Sequence, residues 1–157
     1  MRKLNKKGFT LVELLAVIVI LAIIILLAMP NIISSMNNAR RGAFATEVNS
    51  IIRQAGTAYS ELSMQGNLPS GSTVCFDVKM LGNQTGGKGY LSKNLSNYSG
   101  TITMTISGSA VAYDVKITDG TYKIDGTGTD FANSAVADAS GILTDCVGLG
   151  KPKPTGW

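Results

Sequence analysis

Residues 9–33 are apolar at nearly every position, broken only by Thr10, Glu13, Pro30 and Asn31, and after Glu13 no charge appears until Arg40. As a helix this stretch covers about 37 Å at roughly 1.5 Å per residue, enough to span a bilayer. Beyond it the pattern changes to a helical period. Phe44, Val48, Ile51, Ile52, Ala55, Tyr59 and Leu62 recur at spacings of three and four, with Thr46, Glu47, Arg53, Gln54 and Glu61 elsewhere on the wheel. One face of an amphipathic helix must then meet a packed layer. Gly66 and Asn67, followed by Pro69, supply a stop. The pattern therefore predicts one helix over residues 9–65, about 85 Å long. Pro30 lies inside it, where a missing N–H and a ring clash force a kink or a local opening.

From residue 70 onward glycine, serine and threonine dominate, and a period of two replaces the helical one. Threonines at 101, 103 and 105 alternate with Ile102, Met104 and Ile106, while Val111, Tyr113, Val115 and Ile117 alternate with Ala112, Asp114 and Lys116. These are half-buried strands. Gly108 with Ser109 joins them, and Asp119 with Gly120 turns the chain into residues 121–125, where Tyr122 and Ile124 face one way. The reading is a three-stranded antiparallel meander laid on the amphipathic half of the helix, with an earlier strand over 73–78. The fold class is α+β: a long N-terminal helix packed against a small antiparallel sheet. Four segments follow, at 1–8, 9–33, 34–65 and 66–157. The last is a small head, and chains of that size bury only some 60–65% of their unfolded surface, so packing on the helix and a staple would both help.

Charge removes several function classes. The chain of 157 residues carries a formal net charge of +4, but four of its fourteen basic residues (Arg2, Lys3, Lys6, Lys7) precede the apolar run, leaving ten against ten acids. No nucleic-acid surface is expected, because that needs clustered positive charge. The only later adjacent pair, Arg40 and Arg41, is placed to mark the point where the helix leaves the membrane. There is no histidine, which removes the commonest general base and metal ligand. No catalytic residue, cofactor or metal is expected.

Glu13 is the exception inside the apolar run. Placing a carboxylate there costs about 2.5–3.5 kcal/mol on insertion scales, so it asks for a partner or a purpose. Lys7, Gly8, Phe9, Thr10, Leu11, Val12, Glu13, Leu14 and Leu15 together resemble the N-terminus of type IV prepilins and of the related pseudopilins. Those chains carry a basic leader ending in glycine, then phenylalanine, a small or hydroxyl residue, two aliphatics and a glutamate. The resemblance implies removal of residues 1–8 by a membrane prepilin peptidase cutting between Gly8 and Phe9, and N-methylation of the new amine at Phe9. The basic leader would stay cytoplasmic by the positive-inside rule, presenting the Gly8–Phe9 bond at the inner membrane surface. An ordinary secretory signal would put its cut beyond the apolar run at small residues, and Pro30, Asn31, Ile32 and Ile33 offer no such site.

After cleavage the Phe9 amine stands a little over one helical turn from Glu13. A carboxylate facing a neighbour's amine is paired, so Glu13 can set the register of an incoming subunit against an older one. The alternative is that Glu13 snorkels to the headgroups. Pilins resembling this chain have a proline where Pro30 stands, and their helices loosen nearby in the filament. They often carry an earlier glycine too, and here Ala22 stands in a run without glycine. Gly8, Phe9, Glu13 and Pro30 are thus the processing and assembly residues. The partners implied are other copies and minor pilins in a helical filament, the peptidase, inner-membrane assembly machinery, and lipid before assembly. The location implied is a single-pass membrane protein that becomes an extracellular pilus. A pseudopilin of a secretion or DNA-uptake machine and a membrane-anchored enzyme or binding domain are the alternatives.

Cys75 and Cys146 are the only cysteines. They lie in the part that would face the oxidising side, where an even count favours a disulfide over two free buried thiols. Two further motifs are weak. Gly82, Gly87 and Lys88 have phosphate-loop spacing, yet Gly89 replaces the required hydroxyl residue. Asp125 to Asp130 brackets acidic oxygens but lacks the acidic density of a calcium loop. Lys151, Pro152, Lys153, Pro154, Thr155, Gly156 and Trp157 read as an extended, exposed tail, with the tryptophan free to pack on the head or on a neighbour.

Overall fold

The computed structural model describes residues 9–139 and 144–157. The leader expected over residues 1–8, Gly8 included, lies outside the described residues. The chain divides into two units, Met1–Ala39 and Arg40–Trp157, each described here by itself.

Helix α1 is assigned over Leu11–Gln65 and crosses the division between the units. In the first unit the helical side chains are nearly all exposed, from Leu11 to Met36. The helix starts at Leu11 rather than at residue 9 because Thr10 acts as its N-cap. Its helical assignment continues through Pro30, which sits inside the helix and removes one N–H from the ladder.

In the second unit α1 ends where the sequence placed its stop. Gly66 adopts a φ of 70°. Its N–H donates to the Ser63 carbonyl at 3.3 Å, and the Asn67 N–H donates to Leu62 at 3.0 Å. That pair of bonds is a Schellman cap, and it requires a residue free to enter the left-handed region at position 66.

The sheet is larger than the expected meander. Strands β1 (Thr73–Asp77), β2 (Ser99–Ser107), β3 (Ala110–Thr118), β4 (Tyr122–Thr127) and β5 (Ala137–Asp138) lie side by side in chain order, all antiparallel. The expected first strand stops at Asp77, because Val78–Leu81 form a single turn of helix, α2. Register aligns Phe76, Ile102 and Val115 in one row and Val74, Met104 and Tyr113 in the next. These side chains share the core with Phe44, Val48, Ile51, Ile52, Ala55 and Leu62 of α1. The helical face read from the sequence is the buried one, except that Tyr59 is only partly buried against the core, and Ala45, Asn49 and Ala58 join it.

Asn49 is the unexpected member. It is 8% exposed in the middle of an apolar face, and its amide clamps the chain just after β4. Its Oδ1 accepts the Phe131 N–H at 2.8 Å, while its Nδ2 donates to the Phe131 carbonyl at 3.0 Å and to Asp130 Oδ1 at 2.6 Å. Gly126 makes room nearby, since a Cβ there would stand 3.3 Å from the Phe131 ring. Asn49→Ala leaves the partly buried Phe131 N–H and carbonyl without their partner and is expected to lower stability by about 1–2 kcal/mol in urea titrations of the full chain in detergent. Asn49→Asp would set a second carboxylate oxygen against Asp130 Oδ1 and the Phe131 carbonyl, and at neutral pH should lower stability at least as much as the alanine.

Candidate functional site

The first turn of α1 is built by Thr10 and Glu13. The Glu13 N–H donates to Thr10 Oγ1 at 3.3 Å, and Glu13 Oε2 accepts both the Thr10 N–H and the Thr10 hydroxyl at 2.8 Å. The Leu14 N–H to Thr10 carbonyl bond of 3.2 Å begins the helical ladder. This is a reciprocal capping box, which satisfies two of the amide groups that a helix start leaves without partners. The carboxylate also lies at the positive end of the helix dipole. Both bonds to it fall on Oε2. Oε1 makes none among the described residues.

The capping box changes the account of Glu13. Its charge does not stand alone in one subunit, since Thr10 holds it. The signal was present in the sequence, because Thr10 and Glu13 have the hydroxyl-x-x-acid spacing of such a box. Reading Glu13 only as a misplaced charge missed Thr10. Phe9, next to the cap, is 87% exposed, and Gly8 lies outside the described residues. Pro30 sits seventeen residues beyond Glu13 on the same helix, so it belongs to the run and not to this turn.

The second expected site is in the head. Cys75 and Cys146 are bonded, with Cα atoms 5.8 Å apart, and both are fully buried. Cys75 shares an outer-face row with Thr103 and Asp114, on the side of the sheet away from α1. The Thr103 hydroxyl donates to Cys75 Sγ at 3.6 Å, and Lys151 Nζ donates to Thr103 Oγ1 at 3.0 Å and to Asp114 Oδ2 at 3.2 Å. Asp77 Oδ1 accepts the Cys146 N–H at 2.7 Å, and Asp77 Oδ2 lies 3.5 Å from Lys153. The tail expected to be extended and exposed is therefore docked. Pro154 is buried, and Trp157 stands edge-on to Phe76 at 5.1 Å between ring centroids. The reason is the disulfide, which delivers the segment to the sheet, where lysines 151 and 153 meet acids already in place.

The weaker motifs are taken up by ordinary structure. Asp125 pairs with Lys116 at 3.7 Å and Asp130 with Asn49. The Gly87, Lys88 and Gly89 amides donate to the Gln84, Met80 and Gly82 carbonyls, closing a turn. Tyr98 stacks on Phe44 and lies under Lys93, which is paired with Glu47. Burial, and then its bond to Glu47, push the Tyr98 hydroxyl pKa well above the usual tyrosine value.

Residues 3–29 match the family model described as the prokaryotic N-terminal methylation motif. No curated protein and no solved structure matches the chain. The motif ends one residue short of Pro30, so it covers residues 3–8 of the basic segment, the capping box and the apolar run as far as Met29, and none of the head. The chain thus carries at residues 3–29 a prokaryotic N-terminal methylation motif, the class III signal of type IV prepilins, on a protein whose described residues form one long helix and a five-stranded antiparallel sheet, an α+β architecture.

Proposed function

We propose that this chain is a type IV pilin: a structural subunit cut after Gly8, N-methylated at Phe9, held in the membrane by the apolar part of α1 and then polymerised into a surface filament. One observation carries the reading. The methylation motif runs to residue 29 over the start of α1, a helix long and apolar enough to cross a membrane, whose large apolar side chains from Leu11 to Met36 are exposed. Such a face is stable only in lipid or against other helices. Cleavage brings the Phe9 amine to the helix start, where Glu13 Oε1 can accept it from a neighbouring subunit while Thr10 holds Oε2. The head, closed by its disulfide, then provides the outer surface of the filament for adhesion, motility or display. Its work is assembly, with no bond made or broken in a substrate.

The test is intact mass and N-terminal sequencing of protein sheared from whole cells. A methylated Phe9 at the N-terminus, with a mass two hydrogens below that of the reduced chain, is the expected result. Recovery only in the membrane fraction with Met1 intact would overturn the pilin reading in favour of an anchored domain. A processed Phe9 found only in membranes would move the reading to a pseudopilin of a secretion or DNA-uptake machine.

A further inference from the structure

The sheet has two edges, and they are treated differently. β5 consists of two residues, too short to template another strand. β1 is the other edge, and its Thr73, Val74, Cys75, Phe76 and Asp77 contain no proline or glycine and no charge before the last residue. A strand of that kind pairs readily with another chain when its outer side is bare.

In this chain the outer side is occupied by residues 151–157. The Cys75 N–H donates to the Pro152 carbonyl at 2.8 Å, Lys153 reaches Asp77, and Trp157 lies against Phe76 and Tyr90. The Thr155 N–H donates to the Asn67 carbonyl at 2.9 Å, which ties the segment to the end of α1. The segment itself has little to offer a further strand. Pro152 and Pro154 have no N–H. The Lys151 and Trp157 amides are spent on the Cys146 and Pro154 carbonyls, at 3.0 and 3.2 Å. It accepts a bond from the sheet and ends the ladder there.

We propose that residues 151–157 are an edge guard, and that the partner they exclude is a second copy of this chain, pairing β1 against β1 in antiparallel fashion. Such a pairing is self-complementary about a two-fold axis, so one bare edge suffices for it. The inference stands apart from the filament reading. It concerns the head alone and holds whether or not the N-terminal helices assemble.

The experiment uses the full chain in detergent, at one chain per micelle and at high loading, with and without residues 151–157. Hydrogen exchange at the Cys75 amide and particle mass by light scattering are the readouts. In the intact chain the amide should exchange slowly at both loadings. In the truncated chain it should exchange about tenfold faster when dilute, having lost its acceptor, and slow again at high loading as the particle mass doubles. Unchanged exchange at Cys75 would overturn the guard, and faster exchange with no recovery or mass gain at high loading would overturn the partner. Should truncation unfold the head, seen as lost protection at Ile51, the double variant Lys153→Ala/Trp157→Ala keeps the segment but removes its side-chain anchors. It should give the same loading-dependent pattern at reduced amplitude, and a pattern like the intact chain would count as failure.

Discussion

Glu13→Ala is expected to reduce the yield of sheared filament about a hundredfold or more, since stripping one partner from a buried ion pair costs about 3–5 kcal/mol. The loss falls on the Phe9 amine, which would enter an apolar bundle without a counter-charge. Melting of the head should not change, because Glu13 lies in the first unit and the head's core in the second. Glu13 holds the cap with Thr10 and, in the proposed filament, also pairs with the amine, and the alanine removes both. Glu13→Gln separates them. Glutamine can replace glutamate in a capping box but carries no charge. A filament yield as low as that of the alanine variant assigns the effect to pairing with the amine, whereas a restored yield assigns it to the cap. Thr10→Val tests the reverse case. It removes the hydroxyl, leaves the carboxylate, and should cost only about 1 kcal/mol, the usual worth of an N-cap. Immunoblots of sheared and cell-bound fractions, with total subunit held equal, measure all three. Wild-type filament yield for Glu13→Ala would remove the pairing argument.

Loss of the disulfide should have the largest effect on the head. Cys75 and Cys146 are 71 residues apart, and opening a loop of that length removes about 4 kcal/mol in the chain-entropy model. Single domains have only about 5–15 kcal/mol in total. The consequences extend beyond chain entropy. With the bond open, residues 151–157 keep the backbone bonds from Cys75 to Pro152 and from Thr155 to Asn67, two partly exposed ion pairs and one aromatic cluster to hold them to the head. Pairs of that kind contribute at most about 1 kcal/mol each. Urea titrations of the full chain in detergent, comparing the wild type with Cys75→Ala/Cys146→Ala, should show a lower midpoint together with faster exchange at the Cys75 amide. A stability difference under about 1 kcal/mol would mean that the docked segment, rather than the covalent bond, holds this side of the head.

Much of this architecture can be read from periodicity. The helical period from Phe44 to Leu62 identified the buried face of α1, and Gly66 identified its end, because both signals are local: one depends on 3.6 residues per turn and the other on a left-handed backbone. The alternations around Ile102 to Ile106 and Val111 to Ile117 located β2 and β3 for the same reason. The short strand β5 escaped, because two residues carry no period, and its pairing with Tyr122 and Lys123 is a property of the sheet.

Asn49 escaped as well. Its position on the apolar face looks like an imperfection in the pattern until Phe131, eighty-two residues away, is brought to its amide. The tail of lysines and prolines was misread in the same way. Taken alone it has the composition of an exposed extended segment, and only the Cys75–Cys146 bond and the acids at 77 and 114 give it a place. The sequence by itself determined the N-terminal signal, the long helix and its buried face, and the β character of the head, since each depends on neighbours within a few turns or a few strand residues. The tertiary structure alone decided the five-strand order, the Asn49 clamp and the covering of the β1 edge. Those rest on hydrogen bonds and ion pairs between residues far apart in the chain, which no local pattern records.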